Sequence, residues 1–552
     1  MPVWETHEIH NQVDELTHYQ LLDADPALRE ALLRAGAQAW LPQLHSYAQQ
    51  LGSDHVADLA RLANAHPPNL QRFDARGRVI DVVEFHPAWH ALMATYRQQG
   101  GISLPFDNAE PGRWSAWAAG FYLHGQVEQG TLCPATMTTA AIPLLRQEPG
   151  LWNDVQALLF SRSYDAHDAP MAQKSSIWLG MGMTEKQGGS DVRANTTTAT
   201  ALGSGGRGQA YLLRGHKWFF SAPTSDAHMV VAQMADGSGP ACFWVPRWRP
   251  DGTRNAVRVQ RLKDKLGNRS NASSEVEFED AYGVLVGEEG RGIPTIIAMA
   301  SMTRLNCVLG SAAILRTATV QAIAYARQRY AFGKPLVQQP LMRSVLVDVA
   351  LESEAAMQLG MRLAQAFEHE HDPLQRAWQR ILTPAAKFWV CKRAVACTAE
   401  AMEVLGGNGY VETSVMARLL REAPVNSIWE GSGNIMCLDV LRAMAREPDA
   451  TMLLLKDLQQ QASEYPVLRQ ALQQLVQGLQ QPAHVLEGHA RYWVQQLVLV
   501  AQACLLCSHA PQAVADAFIA TRLGSCSAGW VVGAIETQQV DIDAILQRAL
   551  PD

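Results

Sequence analysis

A block of about 110 residues, running from 178 to 286, interrupts a chain of 552 that otherwise reads as helix. Thr, Val, Gly and Ser dominate it, and short alternating runs such as NTTTATAL, HMVVAQM, ACFWVP and SEVEFED lie between Gly and Asn/Asp turns. Short strands at that spacing predict a compact β domain. Before the block, ALREALLRAGAQAW and SAWAAGFYLHGQVEQG carry apolar residues three and four apart, so residues 27–178 read mostly as helices punctuated by prolines. After it, MASMTRLNCVLGSAAILRTATVQAIAYARQR runs about 30 residues without a proline, and further helices are predicted at 342–369, 374–402 and 433–446. Four long helices with short connections suit a bundle. The stretch after Glu447-Pro448 stays helical but rich in Gln and Leu. The expected fold is mostly α with a central β domain: an N-terminal helical domain (1–178), a β-barrel (179–286), a four-helix bundle (287–446) and an appended helical unit (447–552).

Composition narrows the class. Lys and Arg total 46 against 53 Asp and Glu, and a net charge of −7 makes no global case for nucleic acid or anionic membrane. Hydrophobic residues at 48% against 18% charged predict a large buried core. Nine cysteines, odd in number and widely spaced from Cys133 to Cys526, argue against a disulfide framework and for a reducing compartment. Cys504 and Cys507 form a CxxC inside a leucine-rich helical stretch with no second pair, which favours core cysteines over a metal site. Apolar runs break at Gln or His well before the ~18 residues of a membrane span. The segment MPVWETHEIHNQVDEL carries no signal or transit pattern. A cytoplasmic protein without membrane contact is expected.

Five motifs offer chemistry. Gly182-Met183-Thr184-Glu185-Lys186-Gln187-Gly188-Gly189-Ser190-Asp191 supplies a hydroxyl and backbone amides freed by glycines; such a loop either borders a planar heterocycle or simply turns the chain. Gly215-His216-Lys217-Trp218-Phe219-Phe220-Ser221 reads as a strand whose aromatics face a ligand or pack the β core. In Arg329-Tyr330-Ala331-Phe332-Gly333, the guanidinium closing the long helix can pair with a phosphate or favour the helix C-terminus. Glu403-Val404-Leu405-Gly406-Gly407-Asn408-Gly409-Tyr410 opens backbone amides to a pyrophosphate, or makes a plain interhelical turn. Ser427-Ile428-Trp429-Glu430-Gly431-Ser432-Gly433-Asn434 sets a carboxylate between a Trp and a turn that opens a helix. An apolar neighbour and exclusion of water would make Glu430 a usable base; the bland alternative is an exposed Glu at a turn.

In this order and spacing the motifs resemble the acyl-CoA dehydrogenase family, over about residues 1–446. The first fits that family's signature at every constrained position from Gly182 to Ala194. The signature starting at Glu403 fits except at Thr413, where Asp, Glu or Asn is usual. Arg329-x-x-Phe332-Gly333 fits with Pro340 in place of a common Gln, and the spacing from Arg418 to Glu430 matches that of the catalytic glutamate. The resemblance implies FAD, with Met183, Thr184 and Ser190 along the isoalloxazine edge, and Phe219 and Ser221 in the places of the usual Trp and Thr. It implies that Arg329, Phe332, Glu403, Gly406 and Gly407 hold the pyrophosphate and adenosine, shared across subunits of a homotetramer built as a dimer of dimers, with Asn434 a further cofactor-binding residue. It further implies that Glu430 takes the α-proton of an acyl-CoA thioester while the flavin accepts the β-hydride. Trp429 and Arg304 would line the substrate cavity. Thr303-Arg304 stands where some members keep an alternative base, which leaves Glu430 as the candidate.

RLANAHPPNL, FHPAWHALM, KLGNRSNASSEVEFED and SIWEGSGNIMCLDVLR resemble a narrower branch, flavoproteins of the bacterial response to DNA alkylation that also carry an appended C-terminal unit. That branch implies alkylation protection, duplex DNA binding and weak dehydrogenase activity. The alternative is a dehydrogenase of short or branched acyl-CoA that binds no DNA. The branch's DNA binding is attributed to a basic C-terminal domain, yet residues 441–552 hold seven basic and ten acidic residues, a net −3. The dense basic run lies at 247–269, eight cations against two Asp, with Arg254, Arg258 and Arg261 as candidate phosphate contacts. The same run also reads as a solvated strand and turn, or as a site for the phosphates of CoA.

Overall fold

The computed structural model describes residues 6–524, 531–538 and 540–552; Cys526 lies outside them. The first helices follow their capping chemistry. Asp25 accepts from the Leu28 N–H ahead of Pro26–Arg34, with Pro26 in the first turn, and Ser53 caps Asp54–Ala65 through the Val56 N–H. Pro87–Gln98, Arg113–Gly125, Leu132–Leu145 and Pro149–Phe160 continue the helical region.

One hairpin departs from the helical expectation for this region. β1 (Asn69–Phe73) and β2 (Val79–Glu84) pair antiparallel across a turn in which Asp74 accepts from the Arg76 and Arg78 N–H groups and Gly77 takes φ +76°. The β-branched run Val79-Ile80-Asp81-Val82-Val83 and the Asp-x-x-Gly turn are its physical cause. The hairpin leans on the β domain, where the Val259 N–H donates to Asp81 Oδ2.

The β domain comprises β3 (Leu179–Gly182), β4 (Thr198–Ala201), β5 (Ala210–Ser221), β6 (Ala227–Met234), β7 (Pro240–Pro246), β8 (Val257–Leu262) and β9 (Ser273–Val286). The strand order is β3-β6-β4-β5-β9-β7; β6 also pairs with β7, which closes the sheet into a barrel, and β8 flanks β9. Tyr211, Leu213, Phe220, Phe243 and Phe278 fill it. The strand ending in Ser221 therefore divides its aromatics by the two-residue alternation of a strand: Phe220 packs the barrel, while Phe219 faces outward with half of its surface exposed.

Beyond the barrel, Gly292–Gln328 is a 37-residue helix, long and apolar enough to cross a membrane, yet buried inside the bundle. Pro340–Glu368 and Thr383–Val404 pack along it and Gly433–Arg446 packs on Thr383–Val404, with a π turn at Trp378–Leu382 where one continuous helix was expected. The helices after Glu447 share the bundle's hydrophobic core. Ion pairs fasten them: buried ones from Arg522 to Glu352 (2.8 Å) and Asp348, and half-buried ones from Arg548 to Glu354 (3.0 Å) and to the more exposed Glu30 (2.6 Å). Cys504 is buried among these helices, its thiol donating to the Leu458 carbonyl.

Candidate active site

Two walls face each other where the barrel meets the bundle. The barrel wall is the loop after β3 and the end of β5. The Trp218 N–H donates to the Thr184 carbonyl at 2.8 Å, the Lys186 N–H to His216, and Asn195 to the Met183 carbonyl. A fully buried ion pair, Lys217 to Glu185 at 2.7 Å, locks the loop to the strand, and this lysine with a ring of N–H donors holds the Glu185 carboxyl down at about 2 despite burial. Met183, Thr184, Phe219 and Ser221 thus share one edge, with Ser190 on the exposed outer part of the loop. A side chain at Gly189 would press on Thr184, and one at Gly182 would strike the Phe220 ring.

The bundle wall is the turn at 429–433. Glu430 adopts φ +58° and Gly431 φ +100°; a non-glycine residue held in the left-handed region costs on the order of 1–3 kcal/mol. Three contacts maintain it. Thr303 Oγ donates to Glu430 Oε2 at 2.5 Å, Arg304 Nε donates to the Glu430 carbonyl at 3.3 Å, and the buried Lys387 ammonium donates to the Gly431 carbonyl at 2.6 Å. Arg304 is in turn fixed by Asp439 at 2.6 Å, which also takes Arg380. Arg304 therefore props the Glu430 backbone, and its charge is already matched by Asp439. Trp429 and Met181 both pack against the cluster of Cys133, Met137 and Ala222, which joins the two walls; the Trp429 indole Nε1 is buried and faces the Cys307 thiol of the long helix. Burial and the nearby Glu430 carboxylate push the Cys133 thiol up to about 12, so it is a packing group here rather than a nucleophile.

The other predicted residues form an outer rim. Arg329 caps the long helix with an extended backbone and donates to the Asn11 carbonyl, while Asn11 also exchanges hydrogen bonds with the backbone of Tyr330. Gln12 accepts from Asn408, so the N-terminal segment bridges the Arg329 loop and the glycine turn. Gly406 (φ +61°) and Gly407 have nothing within 4 Å of where a side chain would begin, and Glu403 beside them is exposed. Phe332 is 98% exposed at φ +53°, and Tyr410 is 77% exposed. Asn434 departs from this group: at the start of Gly433–Arg446 its Oδ1 accepts from Arg491 of the appended helices.

The basic run at 247–269 is not a free cationic surface. Arg247 and Arg254 share Asp168, Arg258 meets Glu279, and Arg261 and Lys263 share Glu275 at 2.8 Å each. Arg249 adds a longer contact to Asp251. Six of its eight cations thus have a carboxylate partner within the chain.

The sequence missed Lys387 and Asp439, and read Thr303 only as a replaced base. Thr303 had a signal in its place beside Arg304; the others have none in a single sequence.

Comparison with known proteins agrees with this architecture. Residues 11–166 match the family described as "Adaptive response protein AidB N-terminal domain", 180–281 the acyl-CoA dehydrogenase middle domain and 290–445 the acyl-CoA dehydrogenase C-terminal domain. The chain is 48% identical to the "Putative acyl-CoA dehydrogenase AidB" of Escherichia coli over 99% of its own length and 98% of the relative's. It is 28% identical to "Acyl-CoA dehydrogenase family member 11" of Caenorhabditis elegans, across 79% of this chain and 72% of that one. The crystal structure of C. elegans ACDH-11 in complex with C11-CoA shares the fold, with a TM-score of 0.84 at 24% identity, covering 99% of this chain and 93% of that one.

Proposed function

Because the chain belongs to the acyl-CoA dehydrogenase family of oxidoreductases, in the group that carries an AidB-type N-terminal domain, we propose that it binds FAD and removes hydrogen from an acyl thioester with Glu430 as the base. The observation that carries this reading is the Glu430 turn: a strained carboxylate, held by Thr303, Arg304 and Lys387, opposite the exposed Phe219 edge of the barrel.

The residues fit a flavin dinucleotide. The outward Phe219 and the Thr184 and Ser221 hydroxyls suit a planar heterocycle, and the uncovered Gly406-Gly407 backbone suits a pyrophosphate. Bound there, FAD supplies the hydride acceptor. The chain supplies the rest. The Glu430 carboxylate accepts the α-proton, with the Thr303 hydroxyl fixing which oxygen is free to do so. The Glu430 backbone N–H is the donor proposed for the thioester carbonyl, where charge builds as the proton leaves. Arg304 and Lys387 keep that N–H and the carboxylate in one orientation. Trp429, Cys133 and Met137 keep water from the reacting carbons.

A second subunit completes the dinucleotide end in this reading, as in a dimer of dimers. Tyr330, Phe332, Leu341 and Tyr410 expose aromatic and aliphatic surface around the Arg329 loop and the glycine turn, the property of an association surface.

The likeness to AidB carries a further reading, protection against DNA alkylation with duplex DNA bound through Arg254, Arg258 and Arg261. Six cations of that run, Arg254, Arg258 and Arg261 among them, are already engaged by four carboxylates of the chain, so the dehydrogenase reading is the better supported.

The test is anaerobic titration of the yellow purified protein with a panel of acyl-CoA thioesters. Bleaching of the flavin band by at least one member is expected. Protein that takes up no FAD, or a flavin that no thioester bleaches, overturns the proposal. Duplex binding is checked in parallel across a salt series: with Arg258→Gln and Arg261→Gln, each lost phosphate contact lowers the log–log slope by ~0.9.

A further inference from the structure

Residues 11–16 form neither helix nor strand and lie largely exposed, yet hydrogen bonds fix them along their length. At one end the Asn11 amide brackets Tyr330: its Nδ2 donates to the Tyr330 carbonyl and its Oδ1 accepts from the Tyr330 N–H, both at 2.9 Å. At the other end the Gln321 amide of the long helix brackets Leu16 in the same way, accepting from the Leu16 N–H at 3.0 Å and donating to the Leu16 carbonyl at 2.8 Å. A side-chain amide that meets both the N–H and the C=O of one residue reproduces the paired bonds of an antiparallel ladder, so each bracket fixes direction as well as position. Between them, Gln12 Oε1 accepts from Asn408 at 3.4 Å and Glu15 Oε2 from the Val415 N–H at 3.0 Å. Val415 opens the helix Val415–Glu422, whose positive end the Glu15 carboxylate faces.

The segment therefore ties together two elements that are far apart in the chain. Tyr330 belongs to the loop after the long helix, and Asn408 and Val415 to the glycine turn and the helix that follows it. With both held to one stretch of backbone, the separation of Arg329 from Gly406 and Gly407 is set before any ligand arrives.

Arg329 shows what that setting is for. Its guanidinium donates to the Asn11 carbonyl, and this is the one hydrogen bond its side chain makes among the described residues. A carbonyl is a neutral acceptor, so the contact aims the guanidinium while its charge and its other N–H groups stay available to an anion. Arg304 is the opposite case, its charge matched by Asp439 at 2.6 Å. At φ +55°, a conformation asparagine tolerates, Asn11 presents its carbonyl to Arg329 and its side chain to Tyr330 at once.

We propose, on the reading that FAD binds with its dinucleotide end at this rim, that residues 11–16 are a strap that holds the pyrophosphate-binding groups in place, with Asn11 a positioning residue that acts through Arg329.

Equilibrium dialysis of the full-length protein against FAD and against FMN tests it, since FMN carries the same ring system without the pyrophosphate and adenosine. Asn11→Gly keeps the left-handed backbone and removes the side chain that brackets Tyr330. It should weaken FAD about tenfold and leave FMN within about twofold, the scale of one oriented hydrogen bond to a charged group. Arg329→Gln should weaken FAD by about tenfold or more and FMN by no more than about twofold. Because Asn11 acts through Arg329, the effect of Asn11→Gly should shrink to within about twofold once Arg329→Gln is present; a residue that merely stabilises the loop costs the same in both backgrounds. An equal loss from Asn11→Gly in both backgrounds, an equal loss of FMN, or an Asn11→Gly protein that holds FAD like the parent overturns the strap. An Arg329→Gln protein that holds FAD like the parent is a distinct failure: it removes the dinucleotide from this rim, and the strap's role goes with it.

Discussion

The turn at 429–433 and the turn at 406–410 are both glycine-bearing connections between bundle helices, and they are finished in opposite ways. The first is strained and closed: side chains from two neighbouring helices reach in to hold its carbonyls and its carboxylate. The second is open, with uncovered glycine backbone and a Tyr410 that projects into solvent beside the bare Phe332. A strained backbone persists only where the surroundings over-determine it, and exposed aromatic surface at a loop marks a contact to be made. In the proposed reading the chain builds its proton-transfer side alone and leaves the dinucleotide side for association to complete. Substitutions in each region should separate the two halves.

The sharpest break is at the base. Glu430→Gln should retain flavin and quaternary structure while thioester-dependent flavin reduction falls by ~10²–10⁴-fold, the range for a positioned general base. Stopped-flow reduction of the variant checks it; a rate within a few-fold of the parent would move the base elsewhere.

On the open side the effect is on association. Phe332→Asp should weaken subunit assembly by ~30-fold or more, the scale of a buried aromatic anchor at ~2 kcal/mol. Flavin content should fall with it, while the far-UV circular dichroism stays that of the parent. Light scattering coupled to flavin absorbance reads both. If the variant assembles normally and keeps its flavin, the two turns are alike in being self-sufficient.

A smaller effect tests how the closed turn is held. Thr303→Val removes the hydroxyl on Glu430 Oε2 and should lower the reduction rate by about tenfold, with Thr303→Ser restoring most of it, since one hydrogen bond to a charged group is at stake. Equal loss in both variants would assign Thr303 to packing instead.

The same contrast governs what a sequence can disclose. The order of helices, barrel and bundle is legible because the hydrophobic period changes at the β block and changes back. The outward Phe219 and inward Phe220 follow from strand alternation once the strand is placed. The open turn is legible as a run of glycines, since its function lies in what is missing. The closed turn is only half legible: Glu430 stands in a local motif, but Lys387 and Asp439 act on it or on Arg304 across 44 and 135 residues of chain. The charge run at 247–269 misleads for the complementary reason. Its carboxylate partners arrive from the facing strand β9 and from Asp168, so a count along the sequence keeps cations that the fold has already paired.

The subtlest expected effect concerns the seam that closes the Glu430 side. Glu422, in the helix Val415–Glu422 just before the turn, is buried and accepts from the Asn268 N–H of the barrel loop at 2.6 Å. Burial, reinforced by the nearby Glu128 carboxylate, raises its carboxyl from the ordinary 4.5 to about 7 against the pull of the Asn268 N–H, Arg418 and Lys265. The folded state then binds a proton that the unfolded state releases, so between pH about 4.5 and about 7 this group makes stability fall as pH rises. Below that window the carboxyl is neutral in both states and contributes nothing. Above it the full cost of an ionised buried carboxylate, up to about 3 kcal/mol, is present. Glu422→Gln keeps the oxygen that Asn268 needs and cannot ionise. Its Tm should match the parent at pH 4.5 and exceed it increasingly towards pH 8, with the reduction rate at pH 8 equal or higher. A Tm difference that is flat across that range would mean Glu422 stays charged in the fold, and the closed half would then rest on the Glu430 contacts alone.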